Sequence, residues 1–208
     1  MKKEETFVIT ISRQLGSGGA YIGQQLAKKL DIFYADREII NQVAKQFSIV
    51  EEDIAPSDEK LLSFWELFMQ FNTFSSGIYV PPKLLGPSDK ELYQAEAEVI
   101  ELIAKERSAV IIGRCGSYIL RDHPNHTRIY LHGDDESRKG RIKKLYHVSG
   151  EEAERMMAQS DKERAQHWKS FTGQDWADAR NYDLTIDTSK IELDKCVEVI
   201  EEYLRNSL

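Results

Sequence analysis

Cysteine is scarce in this chain of 208 residues: Cys115 and Cys196 stand far apart and without metal-ligand spacing. That argues against a disulfide framework or a cysteine-built metal site, and free, partly buried thiols in a reducing compartment are the simplest account. Long apolar runs are missing too. No stretch reaches the roughly 18 apolar residues of a membrane span, and residues 1–5, MKKEE, lead straight into strand-like sequence with no apolar signal core. A cytoplasmic protein without membrane partners is expected. An excess of positive charge is the third absence. Lys and Arg number 28 against 35 Asp and Glu, a net charge of −7, which disfavours a surface that neutralises nucleic-acid phosphates while leaving room for a local basic pocket.

What is present is an ordinary globular composition, 41% hydrophobic and 30% charged, enough to bury one sizeable core. The most informative stretch is TFVITISRQLGSGGAYIGQQLAKKL, residues 6–30. Val8, Ile9 and Ile11 give strand character, Gly16, Gly18 and Gly19 permit a tight turn, and Ile22, Leu26 and Leu30 recur at helical spacing. A strand that turns through glycines into a helix presents backbone N–H groups to an anion. One absence marks this loop. When the Walker A pattern G-x-x-x-x-G-K-[S/T] is laid with Gly18 as its second glycine, Arg13, Gly19 and Ala20 occupy the other fixed positions, so the phosphate lysine and the Mg²⁺-ligating hydroxyl are both missing.

Strand-like and helical segments then alternate. Residues 32–35 read as a strand ending at Asp36-Arg37, and 37–47 as a helix bearing Ile39, Ile40, Val43 and Phe47. Residues 48–58 read as a connector, and 59–74, with Leu61, Phe64, Trp65, Phe68 and Phe71, as a helix apolar on much of its surface. That helix is either internal or a surface that meets a second copy of the chain or a lid. Residues 75–88 read as a loop broken by Gly and Pro. A helix from about Ser88, with Leu92, Ala95, Val99, Leu102 and Ile103 as its stripe, leads to the strand 109–112, which ends at Gly113-Arg114. Strands 127–132 and 184–186 follow, with two charged helical stretches over 134–170 between them, Asp134 as a helix cap, and a closing helix 193–204. The alternation predicts a three-layer α/β fold, a parallel sheet with helices on both faces.

In such a sheet ligands bind beyond the carboxyl ends of the strands, where Ser12-Arg13, Asp36-Arg37 and Gly113-Arg114 fall. Arg138 and Arg141 are three apart, so a helix sets both guanidinium groups on one side, either as a phosphoryl clamp or as a solvated face. Asp161 and Arg164 repeat the spacing, as a site pair or as a surface salt bridge. Arg13 is the candidate for a relocated loop cation, the alternative being an arginine paired with a nearby carboxylate.

The order of these motifs, GSGG loop, YAD, AVIIGR, TRIYLH, Arg138/Arg141, Asp161/Arg164 and YDLTIDTS, resembles the cytidylate kinase-like family of P-loop nucleoside monophosphate kinases. The resemblance spans nearly the whole chain, with 48–108 the least supported part. It implies a single P-loop NTPase-like domain over 1–208, with a helical acceptor-side insertion at about 48–108 and a helical lid at about 134–170. It also implies ATP held by Gly16, Ser17, Gly18, Gly19 and Ala20, an acceptor nucleotide faced by Asp36, Arg37 and Arg114, and Arg138, Arg141, Asp161 and Arg164 around the transfer point. The lysine-free GSGG loop is itself characteristic of this branch. The expected activity is Mg²⁺-dependent phosphoryl transfer from ATP to a small acceptor such as CMP. A second expectation is a nucleotide-binding sensor with little turnover. A dinucleotide-dependent oxidoreductase is disfavoured, since Tyr21 occupies the third position of G-x-G-x-x-G, where a small residue is needed.

Overall fold

β-branched residues fill the central strands of the sheet, where both faces are covered and a strand carries apolar side chains in near-continuous runs. β1 (Val8–Arg13) and β3 (Ala109–Ile112) are buried along almost their whole length. The computed structural model describes residues 6–36, 39, 40, 43 and 89–207. With β2 (Phe33–Ala35), β4 (His126–His132) and β5 (Leu184–Asp187), these strands form a five-stranded sheet of order β2-β3-β1-β4-β5 in which the paired strands run parallel. Ile11 lies opposite Ile112 on one side and Ile129 on the other, so branched side chains form a row across the sheet. From β1 the chain passes to the edge strand β2, returns to β3 between them, and then crosses to β4 and β5 on the other side of β1. Such a reversal opens a crevice at the carboxyl ends of the strands.

Alternation along the strands sorts side chains into two cores. Ile9, Ile11, Val110, Ile112, Ile129 and Leu131 face α1 (Gly19–Leu30) and α6 (Leu193–Ser207), where Ile22, Leu26, Val197 and Ile200 complete the packing. Val8, Ala109 and Ile111 face the other way, onto Val99, Ile100 and Ile103 of α2 (Asp89–Glu106), with Leu120 just after the short α3 (Gly116–Ile119). Three layers result, as the alternating pattern predicts. Among the described residues no helix is long and apolar enough to cross a membrane.

The charged stretch after β4 forms α4 (Asp135–Tyr146) and α5 (Gly150–Thr172). Asp134 caps α4 by accepting from the Ser137 N–H at 2.7 Å, and Ser149 caps α5 by accepting from the Glu152 N–H at 3.1 Å. These helices pack on Leu15 through Ile142, Ala153 and Met157, so they meet the turn after β1 directly. Ile39, Ile40 and Val43 are helical and buried in the core beside α2. The other expectations between residues 37 and 88, including Arg37, the aromatic stretch 59–74 and the broken stretch 75–88, lie outside the described residues.

His126, at the start of β4, ties two layers together. The Leu120 carbonyl can only accept, so the 2.8 Å contact fixes the proton on Nδ1, and Nε2 then accepts from the Thr10 hydroxyl at 2.8 Å. Burial pushes the imidazole pKa down to about 4, with the Leu120 bond opposing, whereas an ordinary His titrates near 6.5. The neutral ring therefore contributes stability in full above about pH 6.5, and that contribution is lost as pH falls towards about 4. His126→Asn, which keeps a donor for Leu120, is expected to flatten this acid limb by at most about 3 kcal/mol, checked by chemical denaturation at several pH values.

Candidate functional site

The turn after β1 is shaped by two left-handed residues, Gly16 (φ 82°) and Gly18 (φ 80°), where a side chain would be strained. A Cβ at Gly16 would also stand 2.7 Å from the Arg138 carbonyl oxygen. Ser17 is fully buried and donates its hydroxyl to the Gln14 carbonyl at 2.9 Å, so it braces the turn from within. Gly18 then begins α1 with no capping side chain and no acidic residue in the first turn. The contrast with α4 and α5 is physical: each of those has a capping oxygen and two acidic residues at its start. The positive end of α1 lacks both, which suits it to an external anion.

Behind the turn, arginines hold the carbonyls. Arg138, only 3% exposed, donates Nε to the Leu15 carbonyl at 2.8 Å and pairs through Nη2 with Asp161. Asp161 Oδ1 accepts the Leu15 N–H at 2.9 Å and lies 3.5 Å from Arg164 Nη1. Arg141 donates Nη1 to the Gly16 carbonyl at 3.2 Å and to Thr188 Oγ1 at 3.1 Å, and Nη2 to the Thr188 carbonyl. The helical spacing does put Arg138 and Arg141 on one side. Their targets are the loop's own carbonyl groups. Because the peptide unit is planar and trans, a Leu15 carbonyl turned to Arg138 sends the Gly16 N–H the opposite way. Asp161 and Arg164, 20% and 19% exposed, form part of this junction rather than a surface pair.

Arg13 crosses the mouth of the site. Its Cγ lies 2.7 Å from where a Cβ of Gly19 would stand, and its Nη1 lies 2.2 Å from where a Cβ of Gly113 would stand. The side chain thus runs from the start of α1 to the end of β3, over two glycines. The space in which a lysine at position 19 would begin is filled by the stem of Arg13.

On the β3 side, Gly113, Arg114 and Cys115 take left-handed conformations in succession (φ 77°, 52° and 54°). For the two residues with a Cβ this costs about 1–3 kcal/mol each. Arg114 pairs with Glu96 of α2, a carboxylate only 1% exposed. Sequence reading missed Glu96, although it interrupts the apolar stripe between Leu92 and Val99, and a carboxylate on a buried helix face calls for a cation. Asp36, expected to face a ligand, accepts the Ile39 N–H through Oδ1 at 3.1 Å and so caps the following helix. Asp187 likewise caps a turn, accepting from the Ser189 N–H at 3.0 Å. Cys115 is no reactive thiol: burial pushes its pKa up to about 12, with Arg114 opposing. An aromatic wall of Tyr130, Trp168, Trp176 and Tyr182 backs Cys115 and anchors α5 to β4.

The contact between Arg13 and Gly19 generates a test. Gly19→Ala adds a good helix former but forces Arg13 aside, and is expected to destabilise by about 1–3 kcal/mol. In an Arg13→Ala background, which removes the Cγ contact but leaves the Cβ of residue 13 at 2.9 Å from the added methyl, the same change should cost less. Denaturation of the four proteins of this double-mutant cycle gives the coupling, and additive effects would refute the contact.

Known proteins bear on the site's identity. A cytidylate kinase of Sulfurisphaera tokodaii is 22% identical over 198 residues, covering 95% of this chain and 94% of that protein. An uncharacterized protein of Eubacterium ventriosum superposes with a TM-score of 0.73 at 24% identity, over 96% of this chain and 99% of that one. Shikimate kinase of Bacteroides thetaiotaomicron shares the fold more distantly, with a TM-score of 0.50 at 12% identity over 96% and 98% of the two chains. The model of the cytidylate kinase-like family matches residues 8–190, and with the strand order and glycine turn described above, the chain belongs to that family.

Proposed function

We propose that the protein transfers the γ-phosphoryl of ATP to a small acceptor, a nucleoside monophosphate such as CMP. The observation that carries this reading is the uncapped start of α1, set behind a glycine turn whose carbonyls are held back by Arg138 and Arg141. Amides at Gly16, Gly18, Gly19 and Ala20 would cradle the polyphosphate, with Ser17 supplying the buried brace. Arg13 would take the place of the lysine, since transfer of this kind depends on positioning and on positive charge near the migrating group. Arg164 would reach both phosphate groups, while Arg138, Arg141 and Asp161 keep the turn in shape and, with α4 and α5, shield the reaction from water. Asp36, Arg37 and Arg114 would face the acceptor, Arg114 holding its phosphate.

Mg²⁺ would enter with ATP and, when bound, neutralise charge on the phosphate oxygens. The residues fit a loosely held ion. The Ser17 hydroxyl is engaged by Gln14 and neither Gly19 nor Ala20 offers one, so water or the Asp36 carboxylate would complete its shell.

A second reading, a nucleotide-binding sensor with little turnover, is favoured by the lysine-free turn and by the engagement of Arg138 within the fold. Incubation with Mg-ATP and a panel of nucleoside monophosphates, read by mass, separates the two: diphosphate product supports the kinase, tight binding without product the sensor. Arg13→Ala is expected to lower kcat/KM at least tenfold, about 1.4 kcal/mol, and unchanged kinetics would reject its role.

A further inference from the structure

The Glu96–Arg114 pair is an odd feature to keep for stability alone. A carboxylate buried to 1% exposure must surrender its hydration, and a buried ion pair seldom outdoes apolar packing of the same volume. Its partner also sits in left-handed backbone, with a second such residue beside it. Arg114 itself lies at the carboxyl end of β3, 12% exposed, and Glu96 is the partner its guanidinium has among the described residues. Its Nε is buried with no hydrogen-bond partner among those residues. One edge of the guanidinium is therefore anchored while donors remain for a ligand, and five donors in a rigid fork match a phosphate only when the plane is fixed.

We infer that Glu96 is a positioning residue that aims Arg114 at the phosphate of the acceptor, an inference that rests on the acceptor-side reading of Arg114 given above. It acts through Arg114 and touches no substrate. The carboxylate offsets the arginine's positive charge, which is the accompanying cost, so the benefit lies in orientation rather than in field strength.

The test uses the full chain, with CMP and the other nucleoside monophosphates and Mg-ATP titrated separately. Glu96→Ala should weaken monophosphate binding at least tenfold while ATP binding changes less than about twofold, and Glu96→Gln, which keeps an oxygen for Arg114, should recover most of the loss. The Arg114 Nε–H resonance, assigned by its absence in Arg114→Lys, provides a second readout that needs no turnover. It should shift on adding monophosphate to the wild-type protein and broaden or move in Glu96→Ala before any ligand is present. Equal loss of ATP and monophosphate binding would mean a merely structural role and would overturn the inference. Tighter monophosphate binding by Glu96→Ala would overturn it as well, by showing that Glu96 competes with the ligand. If the wild-type resonance moves with Mg-ATP and with no monophosphate, the acceptor reading itself fails and the inference falls with it. If instead monophosphate moves it equally in wild type and in Glu96→Ala, the acceptor reading stands and Glu96 alone is rejected.

Discussion

A single residue's peptide groups, those of Leu15, set the geometry on which the rest depends. Asp161 takes its N–H and Arg138 its carbonyl, and the two side chains are themselves paired. Each contact alone is an ordinary hydrogen bond. Together they form a closed ring in which moving any member strands a buried polar group, at a cost of roughly 1–3 kcal/mol. The ring makes the turn after β1 stiff without help from its own glycines, which by themselves would favour many conformations. It also joins α4 and α5 to the sheet, because Leu15 packs against Ile142, Ala153 and Met157 on those helices.

Positive charge in the site is provided by arginines whose stems or forks are held by the fold. Arg13 is threaded over two glycines, Arg141 is fastened to Gly16 and Thr188, and Arg114 is fastened to Glu96. A lysine offers a mobile point charge, whereas a guanidinium held along one edge offers a direction. The arginines differ in this respect from the flexible lysine that position 19 lacks. Gly19 and Gly113 belong to the same arrangement, since either one given a side chain would displace Arg13.

Periodicity made much of the architecture legible. Val8, Ile9, Ile11 and the AVII run announced buried strands, the glycines at 16, 18 and 19 announced the turn, and Asp134 announced a helix start, because each of these signals is local. Spacing also told correctly that Arg138 and Arg141 share a side of their helix. It could not tell what they face, since their partners at Leu15 and Gly16 lie more than a hundred residues earlier and meet them only through the tertiary fold. Glu96 was passed over for a related reason: the stripe of Leu92, Ala95 and Val99 describes a buried face, and the cation that makes a carboxylate tolerable there comes from β3. Asp36 adds a local detail of the same kind: its position at a strand end suggested a ligand, and the structure shows in addition that its Oδ1 accepts the Ile39 N–H.

The separations in sequence across the Leu15 ring, 146 residues to Asp161 and 123 to Arg138, have a consequence for the order in which the molecule matures. The glycine turn leaves the ribosome well before residues near 161 do, and α1 can form beside it at once. Its amide array acquires a fixed shape only when those residues arrive. Contacts this distant along the chain are closed late because loop-closure entropy opposes them. The anion cradle proposed for this turn would thus wait for α4 and α5, and nascent fragments that stop short of them would carry the turn without its fixed shape.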